Sequence, residues 1–226
     1  MLERYPLKAG RYSSHSKILH LLGEGKGKSL LDVGCAQGHL LSAAMDNGWV
    51  TTGIEYNEDD AKIAQNCGLN VLKGSAEEEL SKITGRFDVI VIADVLEHLV
   101  DPDVVLRLIS ERISQHGKVI ISLPNVAHLS VRFALIFGRF NYSDRGILDR
   151  THLHFYTRKS IAELCKRNGL TINSWTVTPA PVEEVLPIMN KHIALRWILN
   201  LGDKVAILWK SGLAYQFVIE ATPRQT

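Results

Sequence analysis

Short apolar runs alternate with segments of helical periodicity from residue 13 to residue 122. That pattern predicts an α/β domain built on a parallel sheet. Runs at about 29–34, 49–55, 69–73, 87–93 and 117–122 are short and rich in Val, Ile and Leu, as expected of strands covered on both faces. Helical segments fit at about 13–22, 38–47, 58–66, 76–83, 103–114 and 158–168. Gly48, Gly68, Gly117 and Gly169 each follow such a segment, where a helix commonly stops. Thr157 is placed to cap the helix that begins Arg158-Lys159-Ser160.

The rhythm changes after residue 122. Residues 123–156 read as a longer connection carrying Pro124, Asn125, His128, Tyr142, Asp149, His152, His154 and Tyr156. A strand follows at about 170–178. Residues 179–212 then hold Pro179, Pro181 and Pro187 and an amphipathic stretch around Ile193–Leu201. The last strand, Ala214 to Glu220, alternates more than the earlier ones, which suits an edge-proximal or antiparallel position. Two polar-rich insertions late in a doubly wound domain lie where substrate elements usually sit. The whole chain, residues 1–226, is read as one domain with those two insertions.

Composition narrows the function classes. With 46% hydrophobic and 22% charged residues and a net charge of +2, the chain is of ordinary soluble type, and no nucleic-acid partner is expected. Cys35, Cys67 and Cys165 form no Cys-x-x-Cys pair and read as reduced thiols. The start, Met1 to Pro6, does not read as a signal peptide, and no uncharged run approaches membrane-spanning length. A cytoplasmic protein, monomer or homodimer, is expected.

The chemistry concentrates at residues 30–38, Leu-Leu-Asp-Val-Gly-Cys-Ala-Gln-Gly, followed by Glu55 at the end of the next apolar run. A strand, a glycine turn and a later carboxylate suit a nucleotide-containing cofactor. The spacing Gly34-x-x-x-Gly38 is not the Gly-x-Gly-x-x-Gly of NAD-binding folds. Asp32, just before the first glycine, would repel a pyrophosphate and attract a cofactor carrying a sulfonium and an ammonium group. The residues therefore favour S-adenosylmethionine (SAM), whose product is S-adenosylhomocysteine (SAH).

Leu31 to Gly38 resembles the first motif of class I SAM-dependent methyltransferases, with Ala36 where the usual motif has a glycine. Gly53-Ile54-Glu55-Tyr56-Asn57 resembles the second, Gly74-Ser75-Ala76-Glu77 the adenine-side loop, Phe87 to Leu99 the fourth-strand motif, and Gly117 to Asn125 the fifth strand. Asn125 to Leu170, with Asp149-Arg150-Thr151-His152-Leu153-His154-Phe155-Tyr156-Thr157, is similar to methyltransferase domain family 23. That group includes ubiquinone-type O-methyltransferases, MetW-like proteins and surface-polysaccharide methyltransferases. The resemblance implies a Rossmann-like, doubly wound, seven-stranded sheet, with the last strand antiparallel beside the fifth, and a late helical cap insertion. It implies cofactor contacts at Asp32, Gly34, Cys35, Gln37, Gly38, Glu55, Tyr56, Ser75, Ala76, Ala93, Asp94 and Val95, with Glu55 on the ribose hydroxyls. Tyr12 could close over the methionine end.

Methyl transfer needs alignment and a route for the acceptor's proton. His98, just beyond the fourth strand, and His152 and His154, on opposite sides of an extended run, are the catalytic candidates. His128, Tyr142, Asp149 and Tyr156 stand behind them. Asp94-x-x-Glu97-His98 resembles a Glu-x-x-Glu-His metal motif, but the sequence shows no third partner, and no metal is assigned. The stretch Lys191 to Leu199 could cap the pocket, form a dimer contact or touch a membrane surface. The expected activity is methyl transfer from SAM to oxygen of a small-molecule, glycan or quinol-type acceptor. A cofactor-binding partner protein without turnover stays open, and an NAD-dependent oxidoreductase is disfavoured by the loop.

Overall fold

A computed structural model of the chain describes residues 13–180 and 210–224. Seven strands form one sheet: β1 (Ser29–Val33), β2 (Val50–Glu55), β3 (Val71–Lys73), β4 (Phe87–Ala93), β5 (Ile113–Pro124), β6 (Leu170–Thr178) and β7 (Gln216–Pro223), in the order β3-β2-β1-β4-β5-β7-β6. The first five pair in parallel, and β7 runs antiparallel between β5 and β6. The antiparallel expectation for β7 holds, and β6, not β7, forms that edge of the sheet.

The longer helices are α1 (Ser14–Leu22), α2 (His39–Asp46), α3 (Glu58–Asn66), α4 (Ala76–Lys82), α5 (Pro102–Arg112), α6 (Leu129–Ile136) and α7 (Arg158–Arg167), and a single turn, Lys210–Leu213, precedes β7. Local chemistry starts several of them. The Asn57 side chain accepts the amides of Asp59 and Asp60 at the head of α3. Asp101 precedes Pro102 at the first position of α5. Thr157 and Ser160 form a reciprocal capping box on α7.

Strand alternation divides the core into two halves. Leu31, Val33, Ile90, Ile92 and Ile121 face α4, α5 and α7, whereas Leu30, Val89, Val91 and Ile120 face α1, α2 and α3. Helices thus cover both faces. The chain leaves β1 toward β2 on one side and reaches β4 on the other, so the carboxyl ends of β1 and β4 form a topological switch point, where ligands of such folds bind.

Three expectations are corrected. Gly117 ends no helix: α5 stops at Arg112 and Gly117 lies within β5, where an added Cβ would sit 2.9 Å from the Asp88 carbonyl of β4. The fifth strand runs from 113 to 124, longer than 117–122. The connection 123–156 contains α6, whose residues are too uniformly apolar to show a helical period. Tyr12, the residues from Pro181 through Pro187, and the stretch Lys191–Leu201 lie outside the described residues. No described helix is long and apolar enough to cross a membrane.

Candidate active site

The residues expected to hold the cofactor gather at the turn after β1. Gly34 and Cys35 both donate their amides to the Ile54 carbonyl, at 2.8 and 3.0 Å, which ties the turn to β2. Gly34, with φ +78°, has the side chain of Val95 directly over it, so a Cβ there would collide with Val95. That contact brings the turns after β1 and β4 together. Ala36 adopts φ +47°, the conformation that the usual glycine would take without strain. Its amide donates to Glu55 Oε2 at 2.8 Å, while Asn57 N donates to Glu55 Oε1 at 2.7 Å. Both carboxylate oxygens are thereby fixed, and each retains a lone pair for a ligand hydroxyl. Gly38, with φ +80°, precedes α2 without a side-chain cap, leaving first-turn amides open.

Asp32 lies at the carboxyl end of β1, between Gly53 of β2 and Val91 of β4, and is 2% exposed. Burial, and next the Glu55 carboxylate, push its pKa up to about 7. A cradle that holds a destabilised carboxylate beside a second one suits a cationic ligand better than a pyrophosphate.

Cys35 belongs to the core beside Leu41, and burial, then the neighbouring carboxylates, push its thiol pKa far up. Ala76, the first residue of α4, is 8% exposed and packs into the core. The Ser75 hydroxyl accepts the Glu78 amide as the α4 cap, and Gln37 Nε2 donates to Asp60 at 2.9 Å. Tyr56 is 78% exposed, and Ala93 is partly buried at the end of β4.

The residues expected at the acceptor gather around the turn after β4. Asp94 has φ +55°, uncommon for a residue with a Cβ and often found at functional sites. Its carboxylate accepts the Ser122 hydroxyl at 2.6 Å and Gln216 Nε2 at 3.0 and 3.1 Å. Glu97, 1% exposed, accepts the amides of Leu153 and His154 at its carbonyl, which clamps the 151–156 run against this turn. The clamp sets the His152 ring edge-on to His98, with centroids 4.8 Å apart. His98 Nδ1 lies 3.2 Å from both the carbonyl and the hydroxyl of Thr151, whose hydroxyl donates to Asp149 at 2.7 Å. His152 Nδ1 lies 3.2 Å from the Ile147 carbonyl, which makes Nδ1 the donor and leaves the Nε2 lone pair available.

His98 and His152 therefore come together, and His154 does not join them: its Nε2 faces the Val100 carbonyl at 3.4 Å. His128 caps α6 by accepting the Ser130 amide and stacks edge-on with Tyr215. Asp94 stands apart from the metal triad suggested by its spacing. Instead the donor atoms of Glu97, His98 and His152 lie within 4.8 Å of one another. That set of two imidazoles and a carboxylate, with each Nδ1 near a carbonyl, could hold a divalent ion. Sequence reasoning missed Ser122, Gln216 and Thr151. Gln216 is 122 positions from its partner Asp94, and no local signal marks it.

The sequence profile described as "Methyltransferase domain" matches residues 8–174. The chain belongs to the methyltransferase domain family. SAM is the methyl donor of this methyltransferase. A ubiquinone biosynthesis O-methyltransferase of Bordetella avium is 30% identical over 161 residues, which cover 68% of this chain and 66% of that protein. The Saccharophagus degradans protein of the same name is 25% identical over 204 residues, 86% of this chain and 83% of that one. Among solved structures, a SAM-dependent methyltransferase from Archaeoglobus fulgidus matches with a TM-score of 0.64 at 20% identity, over 95% of each chain. The magnesium protoporphyrin IX methyltransferase of Synechocystis with bound SAH matches with a TM-score of 0.64 at 14% identity, over 97% of this chain and 85% of that one.

Proposed function

We propose that this methyltransferase moves the methyl group of SAM to a phenolic or quinol-type hydroxyl of a small molecule, with His152 as proton acceptor. The paired imidazoles at the end of β4 carry this reading. Burial, and then the neighbouring His98, hold the His152 pKa below its ordinary value, so the ring is neutral and basic at physiological pH. A phenol, with a pKa near 10, yields its proton to such a base far more readily than a sugar hydroxyl does. Phe155 lies beside His152, with Phe140 and Tyr142 against Phe155, and these rings suit a flat acceptor. The names of the curated relatives support an oxygen acceptor.

Displacement at the methyl carbon forms a C–O bond as the C–S bond breaks, and the bonding pair leaves with sulfur, giving neutral SAH. The residues' part is to hold the donor through Glu55 and the Gly34–Gly38 turn, to orient the acceptor by Asp94, and to take its proton at His152 Nε2. Incubation with methyl-labelled SAM and a panel of catechols, simple phenols and sugars tests this. Label is expected in the ethers of the phenolic compounds, and transfer to sugars alone overturns it. No transfer to any compound by a protein that binds SAH favours the partner-protein reading.

Glu55 supplies a separate test of the donor end. Glu55→Ala removes the ribose acceptor and the brace on Ala36 and Asn57, and roughly a 10- to 100-fold weaker SAH affinity is expected by calorimetry. Unchanged affinity would remove Glu55 from the cofactor site.

A second reading has a specific observation behind it, the convergence of Glu97, His98 and His152. A divalent ion held there would lower the pKa of a bound acceptor hydroxyl and replace the need for a neutral base. Activity lost on treatment with a chelator and restored by one divalent ion would select this reading over the free imidazole.

A further inference from the structure

We infer that α6 and the turn after it form a docking face for an anionic lipid surface. Within α6 only Val131 is buried. Phe133, Leu135 and Ile136 are 55%, 51% and 74% exposed, and Phe137, next in the chain, is 71% exposed. A helix that is apolar around its circumference normally lies inside a protein or a bilayer, and large apolar patches on a surface mark interaction sites.

Charge decides the occupant. Between residues 128 and 143 the charged side chains are Arg132 and Arg139, with no Asp or Glu. Arg132 Nε donates to the Ala127 carbonyl at 2.6 Å, and both arginines are exposed. Apolar side chains flanked by unneutralised cations match a headgroup layer that is negative outside and apolar beneath. A second copy of the chain, docked face to face, would set these cations against themselves.

The face also adjoins the active site. Aromatic rings step from His152 to Phe155 at 6.1 Å, and from Phe155 to Phe140 at 5.6 Å and Tyr142 at 6.3 Å. A chain seated on a bilayer through α6 would therefore present its acceptor end near the interface, whichever acceptor it uses. This is a different segment from the Lys191–Leu199 stretch that the sequence singled out.

The test is flotation of the full chain with vesicles, either phosphatidylcholine alone or an equal mixture with phosphatidylglycerol. The chain is expected to float with the mixed vesicles and to be released by salt. The double substitution Ile136→Glu/Phe137→Glu should lower the bound fraction about tenfold or more. Arg139→Glu should weaken binding and flatten its salt dependence. Unchanged SAH affinity in each variant shows that the fold survives. Failure of the unaltered chain to float overturns the inference, as does equal flotation of the double variant. A dimer that the double variant dissociates in sedimentation velocity, without flotation, assigns the face to a second copy instead.

Discussion

His98→Ala and His152→Ala should each lower kcat by about 10²- to 10⁴-fold while leaving the SAH dissociation constant unchanged. The two rings pair just beyond the carboxyl end of β4, and their hydrogen-bond partners among the described residues are Thr151 and Ile147, outside the Gly34–Gly38 turn. His98 rests on Thr151, which Asp149 holds through its amide and hydroxyl at 2.8 and 2.7 Å. Despite partial burial, those bonds keep the Asp149 carboxyl below its ordinary pKa, so its negative charge persists behind Thr151. If His152 takes the proton, the rate should fall on the acid side as the ring protonates, with a midpoint below the usual 6.5 because the ring's pKa is lowered. His152→Ala should abolish that acid limb. His154→Ala is the control: its ring lies against Val100, and kcat should change little. A full rate in His152→Ala, with or without added divalent ion, would exclude both readings of the site.

The two ends of the site differed in how far the sequence revealed them. The geometry of the candidate donor end was legible because its parts are local. Asp32, Gly34 and Gly38 fall within seven residues, and Glu55 ends the neighbouring strand that pairs with β1. Backbone demands made by one turn leave their mark where the turn is. Ala36 shows the limit of that mark: its positive φ meets the glycine requirement with a side chain present, so the motif departs from its usual form while its geometry is kept. The acceptor end is tertiary. His98 and His152 are 54 positions apart, joined by a clamp from the Glu97 carbonyl, and Asp94 is held by residues from β5 and β7. Spacing suggested Asp94 as a partner for Glu97 and His98. Folding gave that place to His152 and turned Asp94 toward Ser122 and Gln216. Helix α6 escaped for an opposite reason, since a segment that buries one side chain has no reason to carry a periodic pattern.

Cofactor affinity should fall about tenfold per pH unit below pH 7, and Asp32→Asn should flatten that dependence. Asp32 is buried, and its pKa is raised to about 7 by desolvation and then by Glu55. Its unfolded value is near 3.9. Between those values the folded chain binds a proton that the unfolded chain does not. The contribution of this group to stability is therefore full below about pH 4 and is lost as pH rises through 7, leaving a cost of order 4 kcal/mol in the ligand-free protein at about pH 8. The stability difference between the unaltered chain and Asp32→Asn should consequently shrink as pH falls from about 8 to 5 in urea unfolding. A ligand ammonium or sulfonium beside the ionised carboxylate recovers part of that cost, so binding requires the charged form and releases a proton below pH 7. Calorimetry in two buffers of different ionisation enthalpy reads that proton directly. SAH keeps the ammonium and lacks the sulfonium charge, so comparing SAM with SAH separates the two cations. A dissociation constant for SAH that is flat from about pH 5.5 to 8, with no proton released, would place the ammonium away from Asp32. If the SAM dissociation constant is flat over the same range as well, Asp32 is a structural cost that the donor site does not use.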